Sequence, residues 1–235
     1  MTGPTPEPAT PYTGVENLEV MREAENYNRY LFDLVRRNAG DAKRIIDFGA
    51  GSGTFSLRCA ALDVEVTAVE PDQELRARLS EHGINVAADM SALPDRGFDY
   101  AYSLNVLEHI DDDVEALRQL RSKLAPGGRM LIYVPAFPVL FTSMDTKVGH
   151  VRRYTRATLL RSVTAAGFTV DDIRYADSLG FFATLAFKLI SNGGGDLDRR
   201  AVRLYDRLAF PLSRAVDVLT HRWFGKNLVL LARNA

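Results

Sequence analysis

The residues best suited to hold a ligand are three carboxylates and a cluster of glycines in the first part of the chain. Asp47-Phe48-Gly49-Ala50-Gly51-Ser52-Gly53 follows a short apolar run and precedes a helical pattern. Gly49, Gly51 and Gly53 lack Cβ atoms, so they permit a tight turn and let a ligand approach the backbone closely. Alone, such a string fits a connecting loop or a dinucleotide cradle equally well. Glu70 ends the next apolar run, where a carboxylate either accepts hydrogen bonds from two ribose hydroxyls or stands as an exposed charge. Asp89 ends the third run. There it either accepts from an adenine amino group, with Met90 beside the ring, or caps a helix.

A second group suits an acceptor. His109 follows Glu108, and Asp145-Thr146-Lys147-Val148-Gly149-His150-Val151-Arg152-Arg153-Tyr154 lies farther on. Either histidine can take a proton near neutral pH. Arg152 and Arg153 can grip a carboxylate or phosphate in bidentate fashion, with Tyr154 beside them. The competing reading pairs the arginines with Asp145 or other acids and packs Tyr154 against the sheet. In that reading His109 is structural, at a helix start beside Asp111-Asp112-Asp113, whose charges suit a helix N-terminus.

These residues need a scaffold, and the order of elements supplies one. A helix is predicted over Val15–Asn38, then strands at Arg44–Phe48, Val64–Val69, Asn85–Ala88, Phe98–Ser103 and Arg129–Val134. Helices at Phe55–Ala61, Gln73–Glu81 and Val114–Leu124 alternate with them, and Pro126-Gly127-Gly128 makes a turn. This alternation implies parallel βαβ units in an α/β, doubly wound, Rossmann-like sheet. A helix over Thr155–Ala166, a strand over Phe168–Tyr175 and a last strand over Asn227–Ala232 follow. Between the last two strands, Ser178–Lys226 is a helical insertion with candidates at Phe181–Ile190 and Arg199–Leu219, separated by Asn192-Gly193-Gly194-Gly195.

Asp47 to Gly53, Glu70, Ala88-Asp89-Met90, and Phe98 to Ser103 running into Asn105-Val106-Leu107-Glu108-His109 together resemble the class I S-adenosylmethionine-dependent methyltransferases. The resemblance covers roughly residues 20–176 and the closing strand. It implies a mostly parallel sheet with an antiparallel last strand, and an S-adenosylmethionine cofactor with S-adenosylhomocysteine as product. It places Gly49, Gly51, Gly53 and Asn105 near the methionine moiety, Asp47 near its amino group, Glu70 on the ribose and Asp89 on adenine. Gly-His-x-Arg-Arg-Tyr at residues 149–154 resembles a bacterial subset, in which the N-terminal helix tends to cover the cofactor. Tyr27 or Tyr30 would then close over the sulfonium, whose charge is attracted to an aromatic face. No nicotinamide site is identifiable for a dehydrogenase.

Composition bounds the rest. Charged residues make up 25% of the 235 and apolar ones 46%, as in folded globular chains. Residues 1–14 read as a flexible lead-in without a signal-peptide pattern, and 15–235 as a single domain. The lone Cys59 and the lack of a Cys/His cluster at ligand spacing predict neither disulfide nor metal, and a cytoplasmic location. Of the 29 basic and 30 acidic residues, residues 1–150 hold 15 and 23, leaving 14 and 7 for 151–235. That basic half fits either a solvated surface or an anionic partner. The expected acceptor is a small molecule, a sugar or a lipid-linked molecule, methylated on oxygen or nitrogen in preference to carbon; nucleic acid is disfavoured for want of aromatic interleaving. The insertion reads as a lid or as a face resting on the inner surface of a membrane. In the second case a non-catalytic, membrane-surface protein is the alternative.

Overall fold

Runs in which nearly every residue is apolar, such as Val66-Thr67-Ala68-Val69, suit strands covered on both faces. The computed structural model describes residues 20–190 and 199–235 and forms these runs into one seven-stranded sheet. The strands are β1 (Arg44–Phe48), β2 (Glu65–Val69), β3 (Asn85–Ala87), β4 (Phe98–Leu104), β5 (Leu124–Pro135), β6 (Thr169–Ala176) and β7 (Asn227–Arg233), in the order β3-β2-β1-β4-β5-β7-β6. β1 to β5 pair in parallel, and β7 runs antiparallel to both β5 and β6. The expected α/β Rossmann-like class, mostly parallel with an antiparallel last strand, is the one observed.

Alternating residues of each strand feed two cores. Ile45, Tyr100, Tyr102, Leu131 and Tyr133 pack under α1 (Glu25–Ala39), which contributes Leu31, Leu34 and Val35. Ile46, Ala101 and Ile132 face the other way. There they meet Leu117 and Leu120 of α4 (Asp113–Lys123) and Leu159 and Val163 of α6 (Arg156–Ala165). α2 (Thr54–Ala60) and α3 (Gln73–Glu81) complete the βαβ units, and α5 (Ser143–Lys147) is a single short turn after β5. The chain leaves β1 for β2 and β3, then returns to place β4 on the other side of β1. The order therefore reverses beside β1, and the crevice at the carboxyl ends of β1 and β4 is where such sheets take ligands.

Of the element boundaries that differ from expectation, two have a clear physical cause. Residues 20–22 are helical, but the chain breaks at Ala24, whose ψ of 76° is not helical, and α1 begins at Glu25. The predicted residues 15–19, like the lead-in and the Asn192–Gly195 turn, lie outside the described residues. The start of α1 is set by a distant residue. Asp206 of the insertion accepts from the backbone N–H groups of Asn26 at 2.9 Å and Tyr27 at 2.8 Å, capping a helix that has no local cap. The predicted turn at Pro126–Gly128 instead lies within β5, where Gly127 has φ +77° and its N–H donates to the Asn234 carbonyl.

The insertion folds as α7 (Ser178–Ile190), α8 (Arg199–Leu204), a π-helical turn at Tyr205–Ala209 and α9 (Phe210–Thr220). The Asp217 carboxylate accepts from the backbone N–H groups of Asp177 and Ser178, tying α9 to the start of α7. No helix among the described residues is long and apolar enough to cross a membrane.

Candidate active site

The carboxyl ends of three neighbouring strands each present an acid. Asp47 lies in β1, one residue from its end, Glu70 directly follows β2, and Asp89 lies two residues beyond β3. Gly49, Gly51 and Gly53 all have positive φ, between 53° and 79°, a region that costs other residues energy and bends the chain tightly into α2. Glu70 reaches across to this turn. One oxygen accepts from the Gly51 N–H at 2.8 Å and the other from the Asp72 N–H at 2.9 Å. Burial pushes the Glu70 carboxyl above its ordinary range despite those two bonds.

Asp47 is buried, and its Oδ2 accepts from the Ser56 hydroxyl at 2.5 Å and the Tyr102 hydroxyl at 2.8 Å. Burial pushes its carboxyl up to about 6, the hydroxyl bonds offsetting only part of the desolvation. Asp89 is exposed and caps the turn Met90–Ala92, accepting from the Ser91 side chain and N–H, and the hydroxyl bond holds its carboxyl below the usual range. Met90 was expected beside a bound ring. It is 3% exposed and packs with Ala87, Leu93 and Phe98 in the core, so its side chain faces the interior.

The cover over the crevice comes from α1 and the insertion. Asn105, just past β4, takes a left-handed φ of 56° and sends its amide to the Tyr27 hydroxyl at 3.5 Å. Tyr27 packs edge-on against Phe210 of α9 and Tyr133 of β5, and burial raises its phenol far above its usual value. Tyr30 packs on the same Phe210 and carries the Arg214 guanidinium 3.9 Å over its ring. Phe137 and Asp177, just beyond β5 and β6, also have positive φ. Among the described residues, three of the five non-glycine residues with positive φ, Asn105, Phe137 and Asp177, thus follow the carboxyl ends of strands. A cleft of 160 Å³, lined by Ala39, Ile45 and Cys59 among others, lies at the opposite edge of the sheet and brings no candidate residue together.

The loop after β5 differs most from its acceptor-binding expectation. Arg153 is buried and makes a bidentate pair with Asp145, Nε to Oδ1 at 2.8 Å and Nη2 to Oδ2 at 2.9 Å. Tyr154 is 1% exposed and donates its hydroxyl to Asp113 at 2.7 Å. Arg152 donates to the Asp111 carbonyl and pairs with Asp113 at 3.4 Å. Arg153 and Tyr154 are therefore parts of the scaffold, because internal carboxylates satisfy them; Arg152 is partly exposed but engaged.

His150 and His109 come together. Asp145 Oδ1 lies 2.7 Å from His150 Nδ1, and a carboxylate can only accept, so Nδ1 carries the proton and Nε2 the lone pair. The Gly149 carbonyl, 3.2 Å from His109 Nδ1, fixes the same tautomer there. The two rings meet edge-on, 4.7 Å apart. Burial, then the neighbouring His150, pushes His109 down to about 4. Asp145 is held well below its ordinary range, since the bonds from His150 and Arg153 outweigh its burial. Glu108 is fully buried, neither carboxylate oxygen has a hydrogen-bond partner, and burial pushes it up to about 8. His150 Nε2 lies 3.8 Å from Glu108 Oε1. Sequence reading found no metal-ligand spacing because His150 is 41 residues from His109; the fold removes that separation. The roles of Asp206 and Asp217 were also missed, since nothing local marks an acid that caps a distant helix.

Comparison with known proteins gives a consistent picture. A family model described as a methyltransferase domain matches residues 23–173, more than half of the chain. An uncharacterized protein of Mycobacterium tuberculosis is 32% identical over 117 residues, which is 45% of this chain and 39% of that protein. The ubiquinone biosynthesis O-methyltransferase of Xanthomonas euvesicatoria is 31% identical over 99 residues, 38% of this chain and 41% of that one. The chain thus spans only 39% to 41% of the length of these curated relatives. Among solved structures, the [4+2]-cyclase SpnF has a TM-score of 0.56 at 22% identity, covering 88% of this chain and 80% of its own.

Proposed function

Since the chain belongs to the methyltransferase domain family, we propose that it transfers a methyl group from S-adenosylmethionine to a small or lipid-linked acceptor, leaving S-adenosylhomocysteine. The observation that carries this reading is the row of acids Asp47, Glu70 and Asp89 on adjacent strands beside a left-handed glycine turn. Neighbouring strands are about 4.8 Å apart, so the row extends about 10 Å, enough for an amino group, a ribose and an adenine in line. Asp47 takes the amino group, Glu70 the ribose hydroxyls and Asp89 the adenine amino group. Asn105 and Tyr27 border the methionyl part, with an aromatic face available to a cation. The bound cofactor supplies an electrophilic methyl on a sulfonium. The chain has only to align the acceptor, exclude water beneath α1 and the insertion, and take up a proton where an oxygen or nitrogen acceptor releases one. His150 and His109 would stand on the acceptor side, with Arg152 partly exposed in the same loop. Residues 15–235 act as one catalytic domain in the cytoplasm.

Calorimetry of S-adenosylmethionine binding against pH tests the assignment. Asp47 binds the cofactor ammonium only when ionised, and its carboxyl in the free protein is raised to about 6. Binding therefore expels a proton as pH falls through that value, and the affinity drops with it. At pH 5 roughly one molecule in ten is competent, so affinity is about tenfold weaker than at pH 7.5. Asp47→Asn flattens this profile. No binding by the intact chain at either pH would remove the proposal.

One surface favours the lipid-linked form of the acceptor. Leu204, Leu208, Leu212, Leu219 and Trp223 of the insertion are each more than half exposed, at near-helical intervals. Arg207 and Arg222 are exposed beside them, whereas Arg199 and Arg203 pair with Glu23, and Arg214 with Asp217. An apolar stripe flanked by arginines suits an anionic bilayer surface. The chain is expected to float with vesicles containing phosphatidylglycerol and not with neutral ones, and Leu208→Glu with Trp223→Glu to abolish flotation. Self-association that buries the stripe, without flotation, would assign it to a second copy instead.

A further inference from the structure

We propose that Glu108, His109 and His150 bind a divalent transition-metal ion. The three side chains each offer one ligand atom, and those atoms all lie within 4.8 Å of one another. The two histidines come from different segments, the turn after β4 and the loop after β5.

Two independent features point to a cation. The Glu108 side chain is fully buried, and neither of its oxygens accepts a hydrogen bond. An orphaned buried carboxylate is costly, and an ion is one of the few things that satisfies it. Both imidazoles have their tautomer fixed from behind: Asp145 accepts from His150 Nδ1 and the Gly149 carbonyl from His109 Nδ1, which leaves the lone pair on each Nε2. Metal-binding histidines are oriented in this way, by a carboxylate or a carbonyl on the other ring nitrogen. Asp145 is itself clamped by the Arg153 guanidinium and by the Thr142 N–H, so the orienting layer is held in turn.

Two imidazoles and one carboxylate suit zinc, with bonds of about 2.0–2.2 Å. Zinc ligand atoms then stand roughly 3.3 Å apart, so separations of up to 4.8 Å close by up to about 1.5 Å on binding. Three protein ligands leave a coordination position open. It would take an oxygen of the acceptor and lower the pKa of a bound hydroxyl. That last use rests on the methyl-transfer reading, whereas binding of the ion does not.

The test uses the full, tag-free chain, stripped with a chelator and titrated with Zn²⁺ by calorimetry and with Co²⁺ by visible absorbance. One equivalent should bind, Co²⁺ should develop d–d bands of a site with nitrogen and oxygen ligands, and Zn²⁺ should raise the Tm. Glu108→Gln and His150→Ala should each weaken Zn²⁺ binding at least 10-fold. The Co²⁺ spectrum of the unaltered chain decides the matter even if a variant fails to fold. Absence of one-equivalent binding by the unaltered chain, or binding unchanged in folded Glu108→Gln, overturns the proposal. S-adenosylmethionine binding is measured separately, so failure of either reading is seen on its own.

Discussion

Replacing Glu70 by alanine is expected to weaken S-adenosylmethionine binding about 100-fold or more, with the far-ultraviolet circular dichroism of the chain intact. Each hydrogen bond to a charged group contributes roughly 1.5–3 kcal/mol, and a ribose offers two hydroxyls to one carboxylate. The loss is larger than those two bonds, because Glu70 also holds the Gly51 N–H and the Asp72 N–H in place. Without it the glycine turn loses its tie to β2 just where a ligand would approach. Glu70→Gln keeps one acceptor and places an amide against a backbone N–H, so its affinity should fall between those of the parent and the alanine variant. Calorimetry on the three proteins reads the series directly. An alanine variant that binds within threefold of the parent would show that the ribose lies elsewhere.

Cofactor binding and turnover are separate questions for this fold. A protein named as a [4+2]-cyclase has the same architecture, so the shape of the sheet does not choose the reaction. The residues at the carboxyl edge choose it, and in the proposed reading they divide into a cofactor row on β1 to β3 and an acceptor group after β4 and β5.

The placement of the acids at the strand ends beside the glycine turn was legible in the sequence because each is fixed by local signals. A glycine turn announces itself through residues that tolerate positive φ, and the acids at 70 and 89 are marked by the ends of the apolar runs before them. The strands themselves were legible for a similar reason: parallel strands buried on both faces read as continuous apolar stretches. The acceptor side was not, since its meaning depends on pairings between distant segments. Arg153 and Tyr154 fit ligand binding and internal pairing alike in the sequence, and only the placement of Asp145 and Asp113 against them decides for pairing. Nothing in Leu107-Glu108-His109 indicates that His150 will stand beside it. Likewise α1 begins where Asp206 caps it, from a residue about 180 positions away, and no local propensity records that. Met90 shows the limit from the other direction: its position after Asp89 suggested a ligand contact, but the short turn that Asp89 caps points its side chain into the core.

Because the loop after β5 is built on one ion pair, Arg153→Ala is expected to be the most destabilising single change in this region. Arg153 and Asp145 are both buried, the guanidinium meeting both carboxylate oxygens. Removing one partner of such a pair leaves a charge without compensation and costs about 3–5 kcal/mol. For a chain of this size each kcal/mol lowers Tm by about 2–4 °C, so a fall on the order of 10 °C should appear by calorimetry. Arg153→Lys rescues only part, because an ammonium cannot span two oxygens as the planar fork does. The sign of the pH dependence follows from Asp145, whose carboxyl in the folded chain is held below its unfolded value. Its stabilisation is fully present above the unfolded value, near 3.9, and is lost as the pH falls from there toward the folded one. The difference in Tm between parent and Arg153→Ala should therefore be constant from about pH 7, below the titration of Glu108, to pH 5 and narrow below about pH 4. A difference that instead widens on acidification would mean that Asp145 is not the group Arg153 serves.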